Sequence, residues 1–208
     1  MYVVIRKTRL ARGVEKVVER TRNYIVPLVQ GQPGFRGYCA FITEAGDAAL
    51  SISIFEDRQA AMGAHQQVRR WIDENMRDLL PDQPEVVAGE AVFYEASHPQ
   101  DQQVAWQQSL FIVIRTYQGI TGQTETMHST VSEHTLPAIL RAPGFRGFYG
   151  FRDEKDPNRA VSVTLFDTRD EAMRSHKEVI VIMRERLGEM AYRPPRVAAG
   201  ETVVLATA

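Results

Sequence analysis

Two histidines are the residues of this sequence best suited to acid–base chemistry. His65 and His176 each close an Ala-Met-x-x-His segment, at an otherwise apolar position on the sheet-facing stripe of a predicted helix. An imidazole has an ordinary pKa near neutrality, so it can take up or release a proton under physiological conditions. The structural interpretation is a partly buried histidine that bonds a backbone carbonyl or a strand hydroxyl, such as that of Ser53 or Thr164. Both interpretations are open.

Three further side chains are candidates for a binding cleft beside the histidines. Tyr24 and His134 occupy matched positions on two earlier helices and are predicted to lie on the inner face. His134 and His176 could meet across one cleft, but no third ligand has matched spacing, so no metal site is predicted. Trp71 has no aromatic counterpart. Either the two clefts differ at their mouths, or Trp71 covers a sheet edge.

Two arginines on predicted strands have acidic residues on strands expected to lie beside them. Arg6 and Arg115 come late in the first strand of each half, and Glu90 and Glu201 come early in the last. These strands are predicted to run antiparallel as neighbours, so each Arg is expected to form a structural ion pair with its Glu. The alternative is that the arginines bind a substrate carboxylate.

The first half of the chain has the element order βαββαβ. Alternation and β-branched residues predict four strands, which are Tyr2–Arg6, Phe35–Thr43, Ala49–Phe55 and Val86–Glu95. Apolar residues at three- and four-residue steps predict a helix from Val14 to Leu28, and Pro27 is expected to bend or tighten its last turn. A second helix is predicted from an N-cap at Asp57 to about Leu80.

The same order is written a second time. The segment Pro33–Gly37 returns as Pro143–Gly147, and Ala88-Gly89-Glu90 returns as Ala199-Gly200-Glu201, at an offset of about 110 residues. We therefore predict an internal duplication, with one unit over residues 1–96, a linker over 97–109 and a second unit over 110–208.

The predicted fold is α+β, with two tandem ferredoxin-like (βαββαβ) units. In such a unit four antiparallel strands carry both helices on one face, and the other face is bare and needs a partner. The simplest partner is the bare face of the second unit. We therefore expect the two units to pack sheet to sheet as an intramolecular dimeric α+β barrel, which is an internal pseudo-dimer.

Composition places the protein in an ordinary soluble class. Its 208 residues are 44% apolar and 25% charged, and the formal net charge of −1 favours neither a nucleic acid nor an anionic membrane as partner. The single cysteine, Cys39, excludes an internal disulfide. The apolar run at the N-terminus is too short for a signal peptide or a membrane span. A cytoplasmic location is predicted.

A family resemblance rests on the segments Phe55–His65 and Phe166–His176, together with the helix-Pro-Gly-Phe-strand passages. The sequence is similar to the dimeric α+β barrel superfamily, and most to its antibiotic biosynthesis monooxygenase branch. The resemblance implies a ligand cleft between helices and sheet. It further implies that His65 and His176 orient or deprotonate an aromatic hydroxyl. The ligand contacts expected around them are Tyr24, Trp71, His134, Ser53 and Thr164.

The working hypothesis is a cofactor-independent monooxygenase of a small aromatic or quinol-like compound, with the electron-rich ring meeting O2 without metal or flavin. The alternative is a non-catalytic small-ligand-binding or stress-response protein of the same fold, and a haem-binding protein is third. The haem-degrading branch uses an asparagine in the first strand, where this chain has Ile5, Arg6, Ile114 and Arg115. Whether two copies of the whole chain associate further as a homodimer is left open by the sequence.

Overall fold

The computed structural model describes residues 1–10, 13–96, 109–120, 124–188 and 193–208. The predicted linker, apart from residue 109, lies outside the described residues. The strands are β1 (Tyr2–Arg9), β2 (Phe35–Ile42), β3 (Ala48–Phe55), β4 (Glu85–Ala96), β5 (Phe111–Gln118), β6 (Phe145–Arg152), β7 (Arg159–Phe166) and β8 (Arg196–Thr207). The helices are α1 (Val14–Arg20), α2 (Val26–Gln30), α3 (Arg58–Asn75), α4 (Thr124–Thr130), α5 (Leu136–Arg141) and α6 (Arg169–Leu187).

These strands form one closed antiparallel barrel in the order β1-β3-β2-β8-β5-β7-β6-β4. Strands β4-β1-β3-β2 come from the first half of the chain and β8-β5-β7-β6 from the second. The two half-sheets join along their edges, where β2 bonds β8 and β4 bonds β6. Closure leaves no free edge among the described strands. The protein is thus a mixed α+β fold around an eight-stranded barrel.

Strands β4 and β8 connect the halves, because each pairs with two neighbours in succession. Strand β4 bonds β1 up to Glu90 and then bonds β6 from Ala91 onward. At this transition a Cβ on Gly89 would lie 1.9 Å from the backbone oxygen of Arg152, and one on the matched Gly200 would lie 2.1 Å from that of Ile42. Glycine is therefore required at positions 89 and 200, where the backbone of one half passes close to the backbone of the other.

The barrel interior is apolar and belongs to both halves. Alternate residues of each strand point inward, as a pleated strand requires. Val3, Ile52, Ile112 and Val163 are examples, all nearly inaccessible to solvent. The opposite face of each half-sheet packs against its own helices and forms a second and a third apolar cluster. Polar groups on that outer face are consequently buried between sheet and helix.

The long helices begin where the sequence predicts. The Asp57 carboxylate accepts a hydrogen bond from the Ala60 amide (2.9 Å), so it caps α3 as expected. In the second half the Thr168 hydroxyl does the same for α6. Helix α3 ends at Asn75, earlier than the predicted end near Leu80. None of the described helices is long and apolar enough to cross a membrane.

The helix before each Pro-Gly turn contains a widened, π-helical turn, whereas the sequence predicts a bent or tightened one. Between α1 and α2 lies a π-helical turn, Thr21–Ile25, whose Val26 amide bonds the carbonyl of Thr21 five residues back. The matched turn, Val131–Thr135, separates α4 from α5. Pro27 and Pro137 follow these turns and lack the amide that an α-helix would use, so the wider register avoids an unmade bond.

Candidate functional site

A buried arginine and a histidine are joined between the sheet and α3. Arg6 of β1 donates from Nε to Nδ1 of His65 (2.9 Å) and from Nη1 to the hydroxyl of Ser53 (2.8 Å). Val4 and Arg6 share the outer face of β1, since side chains alternate along a strand. His65 lies on the buried stripe of α3 directly above that face. The imidazole of His65 therefore contacts the guanidinium of Arg6, a residue that is only 5% exposed.

The second half repeats this arrangement. Arg115 of β5 donates from Nε to Nδ1 of His176 (3.0 Å) and from Nη1 to the hydroxyl of Thr164 (3.2 Å). That hydroxyl in turn donates to the carbonyl of Val113 (3.2 Å). Arg115 is inaccessible to solvent. In each half, the arginine thus bridges the histidine and the strand hydroxyl that the sequence predicted near it.

The predicted ion pairs between these arginines and the glutamates of the last strands are wrong. Arg6 lies opposite Val86 in the β1·β4 register, whereas Glu90 lies opposite Tyr2 and is exposed. In the second half Arg115 lies opposite Val197, and Glu201 accepts a hydrogen bond from the Ser109 hydroxyl (2.5 Å). The strands are neighbours as predicted, but their register differs from the one that the pairing needs.

Both imidazoles are held in the neutral form. Burial, followed by the nearby positive charge of Arg6, lowers the pKa of His65 from 6.5 to about 4. Burial and then Arg115 lower the pKa of His176 to about 4 in the same way. Because Nδ1 accepts from an arginine, the proton of each neutral ring is on Nε2. The lone pair that a general base would use is therefore already engaged.

Each buried arginine keeps one terminal nitrogen unused. Nη2 of Arg6 and Nη2 of Arg115 are buried and have no hydrogen-bond partner among the described residues. Burial lowers the pKa of Arg6 to about 10, and it also lowers the pKa of Arg115. Arg6 is consequently still a cation at neutral pH, with a free donor in apolar surroundings.

Two cavities lie between the helices and the outer face of the sheet, one in each half. The first-half cavity has a volume of about 80 Å³ and the second-half cavity about 90 Å³. Each is lined by its own half and by the last strand of the other half, through Val203 in the first cavity and Val92 in the second. Both are smaller than the 300–1,000 Å³ of typical ligand pockets, so their occupants must be small.

The second-half cavity is aromatic and carries a histidine. Phe93, Tyr117 and Phe148 are among its lining residues, and His128 of α4 lines it as well. The His128 ring lies 4.6 Å from the Phe93 ring, centroid to centroid, and is exposed to solvent. Val18 occupies the matched position of the first-half cavity. Only one of the two cavities therefore has an imidazole in its described lining.

The predicted site residues lie elsewhere. None of the described residues that line the two cavities belongs to the predicted set, which was His65, His176, Tyr24, Trp71, His134, Ser53 and Thr164. The expected inner position of Tyr24 is wrong, because its side chain is 55% exposed and stacks on Trp71 with ring centroids 5.2 Å apart. His134 is half-buried.

The duplicated sequence carries a signal for His128 that periodicity alone does not show. His128 precedes the π-helical turn and follows Met127, which also lines the cavity. Comparing matched positions shows Val18 against His128, a polar replacement on a cavity-facing position. In the described part of the chain no group of three or more His, Cys, Asp or Glu side chains could hold a metal ion.

The first third of the chain matches a known protein family. Residues 1–72 match the family model of the antibiotic biosynthesis monooxygenases. The monooxygenase-domain match covers β1 to most of α3, including Arg6, Ser53 and His65, and it confirms the resemblance stated from the sequence. No curated protein sequence matches the chain.

Solved structures with this fold cover almost the whole chain. A candidate monooxygenase from Fusobacterium nucleatum subsp. nucleatum aligns with a TM-score of 0.78 at 10% identity, over 99% of this chain and 94% of that one. An anthrone oxidase-like protein aligns at 0.62 and 11%, over 99% and 92%. Chlorite dismutase from Candidatus Nitrospira defluvii aligns at 0.58 and 12%, over 97% and 90%. At these identities the likeness shows a shared fold and transfers no reaction.

Proposed function

We propose that the protein is a cofactor-independent monooxygenase of a small hydroxylated aromatic compound, bound in the second-half cavity. The observation that carries the proposal is the His128–Phe93 contact at an aromatic-lined cavity. Aromatic walls suit a flat ring, and an imidazole within reach of a ring hydroxyl can remove its proton. His128, unlike His65 and His176, has no arginine hydrogen bond among the described contacts.

The proposed chemistry begins with the transfer of the hydroxyl proton to His128. The resulting ring anion is electron-rich and reacts with O2 at the carbon para to the oxygen. One oxygen atom of O2 becomes a new carbonyl at that carbon, and the other leaves as water with the C–H hydrogen and the hydroxyl proton. The substrate supplies all four electrons, so the products are a quinone and water and no separate reductant is consumed.

The family match and the neighbours support this class of reaction. Residues 1–72 match the monooxygenase family, and one neighbour with the whole fold is an anthrone oxidase-like protein. The small volume of the cavity, about 90 Å³, favours smaller ring systems over three-ring ones. Neither cavity has the volume for a haem. We therefore expect naphthols and dihydroxynaphthalenes to be better substrates than anthrones.

We also propose that the two halves are tandem ferredoxin-like repeats that act as an internal pseudo-dimer. The identical strand orders β4-β1-β3-β2 and β8-β5-β7-β6 support this. In this scheme only the second-half cavity carries out the oxidation, because position 18 of the first half is Val where the second half has His128.

Oxygen uptake with a panel of naphthols, dihydroxynaphthalenes and anthrones tests the activity. We expect one O2 consumed per quinone formed, without hydrogen peroxide. His128→Gln should reduce kcat by about 10²–10⁴, the usual contribution of a general base. Glu133→Gln is the matched control, since Glu133 is exposed on the adjacent π-helical turn and does not line the cavity. Equal activity in H128Q and wild type would overturn the assignment.

The same assay tests the predicted catalytic role of His65 and His176. If these residues are the bases, the double variant His65→Ala/His176→Ala loses uptake while its fold, followed by circular dichroism, is kept. If they only hold the arginines, the variant is less stable and retains kcat at temperatures where it is folded.

The second candidate function is non-catalytic binding of the same class of ligand. It is favoured by the two neutral histidines, whose lone pairs are engaged by Arg6 and Arg115. In that case naphthols raise the melting temperature of the protein, but no compound of the panel supports oxygen uptake.

A further inference from the structure

Arg6 is a buried cation in the wall of the first-half cavity. It is 5% exposed, yet it is one of the residues that line this cavity. Its Nε and Nη1 atoms are occupied by His65 and Ser53, whereas Nη2 has no acceptor among the described residues. A buried donor without an acceptor costs free energy, and the cost is larger for a charged group.

The described neighbours of Arg6 carry no negative charge. His65 is neutral, Ser53 offers a hydroxyl, and burial raises the pKa of Tyr38 to about 12, so its phenol keeps its proton. With its own pKa near 10, Arg6 keeps its charge at neutral pH. A positive charge in apolar surroundings is stabilised most by an anion that also accepts its free N–H groups, and a carboxylate does both.

Most of the remaining cavity wall is apolar. Val17, Ile25, Val68 and Ile72 line it from the helices. A volume of about 80 Å³ suits the body of a single ring or a short chain. A buried cation at one point and mostly apolar side chains elsewhere are complementary to a small amphipathic acid.

We infer that the first-half cavity binds a small apolar carboxylic acid as its anion, with the carboxylate on Nη2 of Arg6 and the apolar body against the helices. Tyr38 and Ser51 line the same cavity and interact with each other through their side chains. They provide further neutral polar groups for the carboxylate. Asp82 also lines the cavity but is exposed, so water screens its repulsion of an anion.

The described residues of the second half form no equivalent site. Arg115 makes the same contacts as Arg6, but it is not among the described residues that line the second-half cavity. The inferred acid site therefore belongs to the first half alone. It does not depend on the proposed oxidation, which uses the other cavity, so either proposal can fail without the other.

Calorimetric titration of the full chain with benzoate, and with neutral benzamide of nearly the same shape, tests the inference. We expect one benzoate per chain and at least tenfold weaker binding of benzamide, because only the carboxylate matches the cation. Arg6→Gln should weaken benzoate binding at least tenfold. Arg115→Gln is the matched control, because it removes a buried arginine that makes the corresponding hydrogen bonds in the second half. This variant should bind benzoate with the affinity of wild type.

A second variant guards against misfolding of R6Q. Ala40→Leu narrows the cavity from β2 while leaving Arg6 in place, and it should also weaken benzoate binding at least tenfold. The inference is overturned if benzoate and benzamide bind equally, if benzoate does not bind, or if A40L binds benzoate as wild type does. It is also overturned if R115Q and R6Q lose binding to the same extent.

Discussion

At the scale of single residues, the two histidines are acceptors for buried arginines. Each accepts from an arginine Nε at about the same distance, and each has its pKa lowered to about 4. A neutral imidazole is the better partner for a buried guanidinium, because a protonated one would repel it. Protonation of His65 or His176 therefore opposes folding.

This linkage predicts acid sensitivity in a defined pH window. The unfolded pKa of 6.5 exceeds the folded value of about 4, so the unfolded chain binds the proton more tightly. Stability from these residues is fully present above pH 6.5 and falls as the pH drops from 6.5 to about 4. Urea unfolding of wild type should show this loss, and His65→Gln/His176→Gln, which retains an acceptor without titrating there, should flatten it.

A flat stability profile in wild type between these pH values would contradict the prediction. Glu154 provides a contrast, since hydrogen bonds from Arg58 and Tyr2 lower its pKa from 4.5 to about 2. Its contribution is lost only below pH 4.5, so the two effects separate along the pH axis.

At the scale of elements, the transitions of β4 and β8 from one half to the other decide the architecture. Backbone bonds flank each transition: the Glu154 amide donates to Ala88 (2.8 Å) and the Glu44 amide donates to Ala199 (2.9 Å). Gly89 and Gly200 allow the close approach that these bonds need. The repeated Ala-Gly-Glu segment is therefore the signature of a strand crossing.

Adding a methyl group at this crossing should be costly. Gly89→Ala places Cβ 1.9 Å from a backbone oxygen that no side-chain rotation can move, so we expect a loss of about 2 kcal/mol or more in unfolding free energy. Gly63→Ala in α3 is the control, because no atom lies within 4 Å of its added Cβ, and the better helix former should stabilise by about 0.5–1 kcal/mol. Urea denaturation measures both, and equal effects would refute the steric argument.

Strands, helices and their caps were accessible from local pattern, whereas contacts between elements were not. Asp57 and the alternation in β3 are local signals, and both predictions hold. The pairing of Arg6 with Glu90 failed because strand register depends on where β4 changes partners. Arg6 and Val4 share a face, and His65 lies on a buried stripe, so the Arg6–His65 contact follows once the helix is known to cover that face. The replacement of Val18 by His128 at matched positions is visible in the sequence, but only the cavity shows that this position faces a binding site.

At the scale of the whole molecule, the halves share one barrel. The interior cluster draws on strands of both halves, and side-chain pairs cross between them at matched places. Arg58 donates to Glu154 from Nε and Nη2 (2.7 and 2.8 Å), and Arg169 pairs with Glu44. Neither half-sheet encloses its apolar face alone, so the two should unfold together.

Native-state hydrogen exchange tests this cooperativity. Amides in the β2·β8 and β4·β6 ladders should exchange with the same free energy and the same urea dependence as amides in β1·β3 and β5·β7. If the ladders that join the halves exchange at a clearly lower free energy, the halves open independently and the single-barrel description of stability is wrong.

Each cavity is lined in part by the other half of the chain. Val203 of β8 lines the first-half cavity, and Val92 of β4 lines the second-half cavity. In an assembly of two identical chains, every substitution would alter both cavities at once. Within one chain a substitution alters one cavity and leaves its twin as it was, as Val18 and His128 already illustrate. A single chain can therefore change the lining of one cavity and keep the lining of the other, while both halves still complete the same barrel.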